Sequence, residues 1–156
     1  MKSKRLKILF FYPNLHMSTL VPNGVAILSA MLKRDGFEYV ELFDTTFYQS
    51  KEESKDENRV RMGQVPSFDV RERGVTLKTT DMYKDFVEKV DNFEPDLIAA
   101  TILEDTYPIF MQFMELIESR NIPTVVGGVF ASTAPETVAK LPYVHYICRG
   151  EGDDAL

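Results

Sequence analysis

The sequence predicts an α/β fold in which five parallel strands form one sheet between two layers of helices. Short apolar runs alternate with longer segments whose apolar residues recur at helical spacing, and several junctions carry proline or glycine. The fourth apolar run is followed at once by Gly127-Gly128. A glycine pair between a strand and a helix lets the backbone pass close to a bulky group, at the sheet edge where α/β folds bind ligands.

The first half of the chain supplies two strands and one helix. Residues 7–12 form a continuous apolar run, typical of a strand buried on both faces of a parallel sheet, and Pro13 ends it. Residues 22–36 predict a helix, since a proline starts the segment, basic residues fill its last turn and a glycine ends it. Residues 38–43 alternate weakly, which favours a second strand nearer an edge of the sheet.

The second half continues the alternation. Thr80 is expected to cap a helix, and Thr133 to begin another through a capping-box spacing with Pro135 in its first turn. Further strands are predicted at residues 97–101, 124–126 and 144–148, and a further helix at 109–117. Together these elements predict a three-layer sandwich of the flavodoxin-like or Rossmann-like type, as one domain over residues 1–156.

A charged segment at residues 44–79 interrupts this rhythm, because it lacks sustained apolar periodicity. Loops of this length inside a domain are usually functional or disordered. The segment leaves the carboxyl end of the second strand, so we expect it on the ligand side of the sheet, mobile or held by non-covalent docking. Residues 150–156 resemble a turn and the start of a helix, from which we expect the chain to be part of a longer protein.

Composition restricts the function classes. The chain has 156 residues with 18 basic and 24 acidic side chains, a net charge of −6, so it offers no general basic face for nucleic acid. No apolar stretch approaches the length of a membrane span. The single cysteine, Cys148, excludes an internal disulfide, a multi-cysteine zinc site and a self-contained iron–sulfur ligand set, and we expect a cytoplasmic protein.

Several common ligand-binding patterns are absent from the sequence. A dinucleotide fold has Gly-x-Gly-x-x-Gly after the first strand, where this chain has Pro13-Asn14-Leu15-His16. A P-loop, a Ser/Thr/Gly-rich flavin phosphate loop, the paired acids of a phosphoacceptor domain and a nucleophile elbow are absent as well.

Three stretches together resemble the cobalamin-binding domain found at the N-terminus of cobalamin-dependent radical S-adenosylmethionine (SAM) enzymes. They are the Pro/Gly-led helix of residues 21–32, the third strand with its Thr101-x-Leu103 element, and Gly127-Gly128 with the later Arg149-Gly150-Glu151-Gly152. The resemblance covers roughly residues 6–44 and 95–156.

The resemblance implies roles for residues at the strand ends. Gly127 and Gly128 would make room for the nucleotide tail of cobalamin, Thr101 would bond to the tail, and Leu103 would be an apolar contact. The remaining residues expected at the cofactor are Asn14, Ile102, Val129, Phe130, Gly150, Glu151 and Gly152. No catalytic residue is expected in this chain.

The chain departs from the family in two places. Members that ligate cobalt carry Asp-x-His-x-x-Gly after the first strand; here Asn14 replaces the Asp and Thr19 the Gly, so we expect His16 not to ligate cobalt. His145 is expected to lie within the fifth strand with a structural role, and Cys148 to be buried in the same strand as part of the core. The Cys-x-x-x-Cys-x-x-Cys motif is missing, so SAM and a 4Fe–4S cluster would belong to a downstream radical SAM domain that catalyses methyl transfer or a radical rearrangement.

Two other interpretations stay open. One is a regulatory or protein-interaction domain that keeps the fold without the ligand and uses residues 44–79 for docking. The other is a small-molecule enzyme that uses Glu104, Asp105 and Glu151, although acids near strand ends are more often helix N-terminal charges and no paired base is visible.

Overall fold

The computed structural model describes residues 4–15, 22–49, 55–67 and 69–153. The strands are β1 (Lys4–Tyr12), β2 (Phe37–Asp44), β3 (Leu97–Thr101), β4 (Thr124–Gly127) and β5 (Tyr146–Ile147). The helices are α1 (Asn23–Arg34), α2 (Lys55–Arg61), α3 (Met82–Phe93), α4 (Tyr107–Leu116), α5 (Val129–Thr133) and α6 (Pro135–Val138), with single 3-10 turns at Val70–Arg73 and Glu118–Arg120.

The five strands form one sheet in the order β2-β1-β3-β4-β5, and every pairing is parallel. The predicted fold class is therefore confirmed, as is the position of the second strand at an edge. In the register of β3 and β4, Thr101 lies opposite Gly127, so the two predicted strand ends meet at the same carboxyl edge.

The sheet separates two apolar layers, which explains the continuous apolar run of β1. On one face, Phe11 packs against Phe86 of α3 and Phe113 of α4, with ring centroids 4.7 and 5.1 Å apart. On the other face, Phe10 packs with Val25 of α1. Each fully buried phenylalanine contributes about 1.5–3 kcal/mol of hydrophobic free energy, so this aromatic cluster stabilises the first layer.

The expected cap at Thr80 is wrong, and Asp81 is the N-cap of α3. The Asp81 carboxylate accepts hydrogen bonds from the backbone N–H groups of Tyr83 at 3.0 Å and Lys84 at 3.3 Å. The Thr80 hydroxyl instead donates to Asp85 at 2.6 Å. Two adjacent residues with good capping chemistry cannot be ranked from sequence, and here the carboxylate takes the position.

The expected capping box at Thr133 is also wrong, because a helix begins four residues earlier, with Gly128 as its N-cap. The Thr133 hydroxyl donates to the carbonyl of Val129 at 2.9 Å, within α5. Pro135 does lie in the first turn of α6, as expected, but Ala134 is the N-cap there.

The segment at residues 44–79 carries more structure than its sequence indicates. It contains α2 and a 3-10 turn, and its ends are joined where Lys78 N–H donates to Phe47 O at 2.8 Å and Gln49 N–H donates to Lys78 O at 2.9 Å. Tyr48 is buried beside this junction, and its hydroxyl donates to Asp85 at 2.9 Å. The first residues of the segment lie at the carboxyl edge of the sheet; residues 50–54 and 68 lie outside the described residues, and the mobility expected of the segment stays a prediction.

Within the described ranges, no helix is both long and apolar enough to cross a membrane.

Candidate ligand-binding cleft

A cleft of about 590 Å³ opens at the carboxyl ends of β1, β3 and β4, between the sheet, the N-terminal half of α1 and the loop that follows β5. Its volume is within the range of small-molecule and cofactor sites. Ala99 and Val125 belong to its lining and lie two residues before Thr101 and Gly127, so the cleft extends down the α1 face of the sheet by about 7 Å.

Most of the residues expected at a cofactor line this one cleft. They are Asn14, Thr101, Leu103, Gly127, Gly128, Val129, Gly150, Glu151 and Gly152. Ile102 does not line it, because its side chain is fully buried in the layer formed with α3 and α4. Phe130 also turns away and stacks on Tyr107, with ring centroids 5.3 Å apart.

The glycine turn is in direct contact with the end of β3. Gly128 has a φ of +97°, and a Cβ at that position would lie 2.6 Å from the Thr101 hydroxyl and 2.8 Å from the Ile102 carbonyl oxygen. The backbone N–H of Ile102 donates to the carbonyl of Gly127 at 3.0 Å. Gly128 therefore makes room first for the neighbouring loop of the protein itself, a constraint that its sequence position alone did not reveal.

Gly127 has a different environment from Gly128. A Cβ on Gly127 would meet only Cys148, at 3.7 and 3.8 Å, which is ordinary van der Waals contact. Gly127 lines the cleft, so a larger side chain there would occupy cleft volume. A side chain at Gly128 would therefore disturb the packing of the loops, whereas a side chain at Gly127 would occupy the cleft.

The loop after β1 is tied to the loop after β2 by buried polar groups. The Asn14 N–H donates to the Thr45 hydroxyl at 2.7 Å, and that hydroxyl donates to the Asn14 carbonyl at 2.7 Å. The Asn14 side-chain amide donates to the Thr46 hydroxyl at 2.9 Å. Sequence reasoning missed Thr45 and Thr46, since nothing in a Thr-Thr pair after a strand indicates its partner. His16 lies outside the described residues.

The loop after β5 closes one side of the cleft. Gly150 N–H donates to the Ser132 hydroxyl at 3.0 Å, and Ser132 donates to the Gly128 carbonyl at 3.1 Å. At Gly152, a Cβ would lie 3.4 Å from Leu28 of α1. The loop therefore runs from α5 to α1 across the carboxyl edge.

The two residues expected to be structural differ in outcome. His145 lies just before β5 and not within it. Its Nδ1 accepts a hydrogen bond from the Thr124 N–H at 3.2 Å, which agrees with a structural role. Cys148 is not core: it is half-buried and lines the cleft, because the regular part of β5 ends at Ile147.

The sequence reading did not assign the α1 wall of the cleft. Asn23, Gly24, Ile27 and Leu28 all belong to the lining. Ile27 is 59% exposed and Val129 is 63% exposed, so two large apolar side chains stand at the rim. Ile27 lies outside the apolar stripe that packs on the sheet. An apolar residue at such a position was the sequence signal for an exposed apolar wall.

The cleft carries little charge. Among its described lining residues, only Glu151 and Asp153 are ionisable acids, and none is lysine or arginine. Glu104 and Asp105 do not line it, so the three acids considered for catalysis are not brought together there. Across the described residues no group of three or more His, Cys, Asp or Glu side chains could hold a metal ion. The arrangement is suited to a weakly charged organic ligand.

One protein family matches most of the chain. A protein-family model described as the B12 binding domain matches residues 17–156. No curated protein matches the sequence.

Two solved structures share the fold. One is the radical SAM methyltransferase TsrM from Kitasatospora setae, whose structure contains cobalamin and a 4Fe–4S cluster; it has a TM-score of 0.67 and 19% identity over 97% of this chain. The other is a cobalamin-binding protein from Desulfitobacterium hafniense DCB-2, with a TM-score of 0.56 and 17% identity over 97% of this chain. This chain spans 25% of the length of the first protein and 58% of the second.

Proposed function

Since the chain belongs to the B12-binding domain family, we propose that its cleft receives the nucleotide tail of cobalamin while the corrin ring lies across the carboxyl edge of the sheet. The cleft itself carries this proposal, because it extends below the edge of the sheet and is lined by the Gly127-Gly128 turn. A flat ring system with a long tail needs a broad platform of strand ends and a slot leading away from it, and this edge offers both.

The residues of the cleft fit such a ligand in shape. On this face of the sheet Ala99 carries only a methyl group and Gly127 carries no side chain, so an aromatic base can lie against them. Thr101 and Leu103 also line the cleft, where they would supply a hydroxyl and an apolar contact. The exposed Ile27 and Val129 at the rim would pack against apolar ring edges.

The charge of the cleft fits as well. Cobalamin carries one phosphodiester and many neutral amide groups, whereas flavin and dinucleotide cofactors carry more phosphate charge. A described lining without lysine or arginine, and with Glu151 and Asp153 near the mouth, favours the less anionic ligand. The backbone groups of residues 150–152 and the side chain of Asn23 are suited to hydrogen-bond the corrin amides.

We further propose that this chain is the cobalamin-binding module of a cobalamin-dependent radical SAM enzyme, whose remaining domains would belong to a longer protein. When bound, cobalamin supplies a cobalt centre that can carry an alkyl group. The residues of this chain would bind and orient cobalamin, and the chemistry would take place with a downstream domain. That domain would hold SAM and the 4Fe–4S cluster, and it would catalyse methyl transfer or a radical rearrangement.

The proposal is tested by titrating the 156-residue chain with cyanocobalamin and, in parallel, with dicyanocobinamide, which has the corrin ring but no nucleotide. Absorbance and calorimetry report the two affinities. We expect weak binding of cobalamin, because half of the corrin would be uncovered, and at least tenfold weaker binding of cobinamide, because the cleft would be empty.

Equal affinity for the two corrinoids would contradict the placement of the tail in the cleft. No binding of either at millimolar concentration would contradict cofactor binding by this chain and favour a ligand-free interaction domain of the same fold.

A further inference from the structure

Ser132 links two of the loops that form the cleft without lining the cleft itself. Its hydroxyl donates to the carbonyl of Gly128 at 3.1 Å and accepts the N–H of Gly150 at 3.0 Å. A serine hydroxyl has one donor and two acceptor sites, so both bonds form at the same time. The glycine turn after β4 is thereby joined to the loop after β5.

The neighbouring Thr133 shows that the second bond is specific to Ser132. The Thr133 hydroxyl makes the same local bond, donating to the carbonyl of Val129 four residues earlier at 2.9 Å. That bond stays within α5, whereas the Ser132 hydroxyl also reaches a residue 18 positions away in the chain. The two adjacent residues therefore differ in their contact with the loop after β5.

The loop after β5 depends on such a contact for its order. Gly150 has a φ of +76°, and Gly152 follows it, so the unattached segment would sample many conformations. Its far end rests on Leu28 of α1 and on Cys148, where a Cβ at Gly152 would lie 3.4 and 3.6 Å away. Ser132 supplies a polar attachment at the near end.

We propose that Ser132 is a positioning residue, which holds the loop of residues 150–153 at a fixed distance from the glycine turn and so sets the width of the cleft before the ligand enters. The inference rests on the proposed function, because the ligand whose affinity it alters is cobalamin. A pre-ordered loop raises affinity by removing the entropy cost of ordering it on binding.

The test compares Ser132→Ala with Thr133→Ala as the matched control, and with Ser132→Thr, which restores a hydroxyl. Cyanocobalamin affinity is measured by titration, the unfolding midpoint by circular dichroism, and exchange of the Gly150 amide by NMR. The loss of one positioning hydrogen bond predicts about three- to tenfold weaker cobalamin binding for Ser132→Ala. Thr133→Ala is expected to bind like the wild type, and Ser132→Thr to recover most of the affinity.

Amide exchange gives a readout that is independent of the ligand. The Gly150 amide is expected to be protected in the wild-type chain and in Thr133→Ala, and to exchange faster in Ser132→Ala while the unfolding midpoint stays close to the wild-type value. An unprotected Gly150 amide in the wild type would overturn the inference, whether or not cobalamin binds.

The outcomes separate the two proposals. If the wild type binds cobalamin and Ser132→Ala binds it equally well, the positioning role is wrong and the proposed function stands. If the wild type does not bind, the proposed function is wrong, and the positioning role fails with it even where Gly150 is protected. If Ser132→Ala and Thr133→Ala weaken binding equally, the effect belongs to the helix and not to the link between loops, which also overturns the inference.

Discussion

The Thr101 hydroxyl lies 2.6 Å from the point that a Cβ on Gly128 would occupy, so these two residues fix how closely the β3 and β4 loops approach. Thr101 and Gly128 both line the cleft. The packing of the protein and the shape of the ligand site are therefore coupled at this contact.

Substitution at the two glycines should have unequal effects on stability. Gly128→Ala places a side chain at a φ of +97° and against Thr101 and the Ile102 backbone, and it should cost about 1–3 kcal/mol of unfolding free energy. Gly127→Ala meets only Cys148 at ordinary contact distance and should change stability by less than about 0.5 kcal/mol. Urea denaturation measures both values. Equal losses would show that the turn is not packed as described.

Larger side chains at the two glycines should both abolish ligand binding, but for different reasons. A bulky residue at Gly128 should abolish cobalamin binding, because it displaces the Thr101 loop. Gly127→Leu should abolish it with the loops in place, because the side chain fills the cleft. Unchanged affinity in a folded Gly127→Leu variant would place the ligand elsewhere.

The stability that the hydrogen bonds of Asp85 provide should depend on pH. The Thr80 hydroxyl, which donates to the Asp85 carboxylate, holds the pKa of Asp85 below its ordinary value of 3.8, and Tyr48 and Lys78 act in the same direction. Because the pKa is lower in the folded state, this stabilisation is complete above the unfolded value and is lost as the pH falls through the folded value. Asp85→Asn should therefore be less stable than the wild type at pH 7, and the difference should shrink below about pH 4.

Thermal unfolding followed between pH 7 and pH 3 measures this difference. Glu88→Gln, on the same helix, controls for the loss of one negative charge without touching Thr80 or Tyr48. A difference between wild type and Asp85→Asn that stays constant over this range would contradict the assignment.

His16→Ala is expected to leave the visible spectrum of bound cobalamin nearly unchanged. The expectation comes from the sequence, where Asn14 replaces the acid that would orient the imidazole. In the structure, the side-chain amide of Asn14 donates to Thr46. A spectrum that changes on loss of His16 would establish it as a cobalt ligand.

The sheet could be predicted from the sequence because each buried strand is a short apolar run with a proline or glycine nearby, and parallel topology then brings Thr101 and Gly127 to one edge. The contacts made across that edge could not be predicted. The neighbour of Gly128, the link from Ser132 to Gly150 and the exposure of Cys148 all depend on where loops meet in three dimensions. The N-cap of α3 could not be predicted either, because Thr80 and Asp81 are adjacent and both have side chains that can cap a helix.

The alkylation rate of Cys148 tests most directly whether the cobalamin tail enters the cleft. Cys148 is the single cysteine of the chain and lines the cleft beside Gly127. Mass spectrometry after timed exposure to iodoacetamide measures the rate for the free chain, with saturating cyanocobalamin and with dicyanocobinamide. We predict that cobalamin slows the reaction at least tenfold and that cobinamide, which lacks the tail, leaves the rate close to that of the free chain. An unchanged rate in a chain saturated with cobalamin would contradict the account.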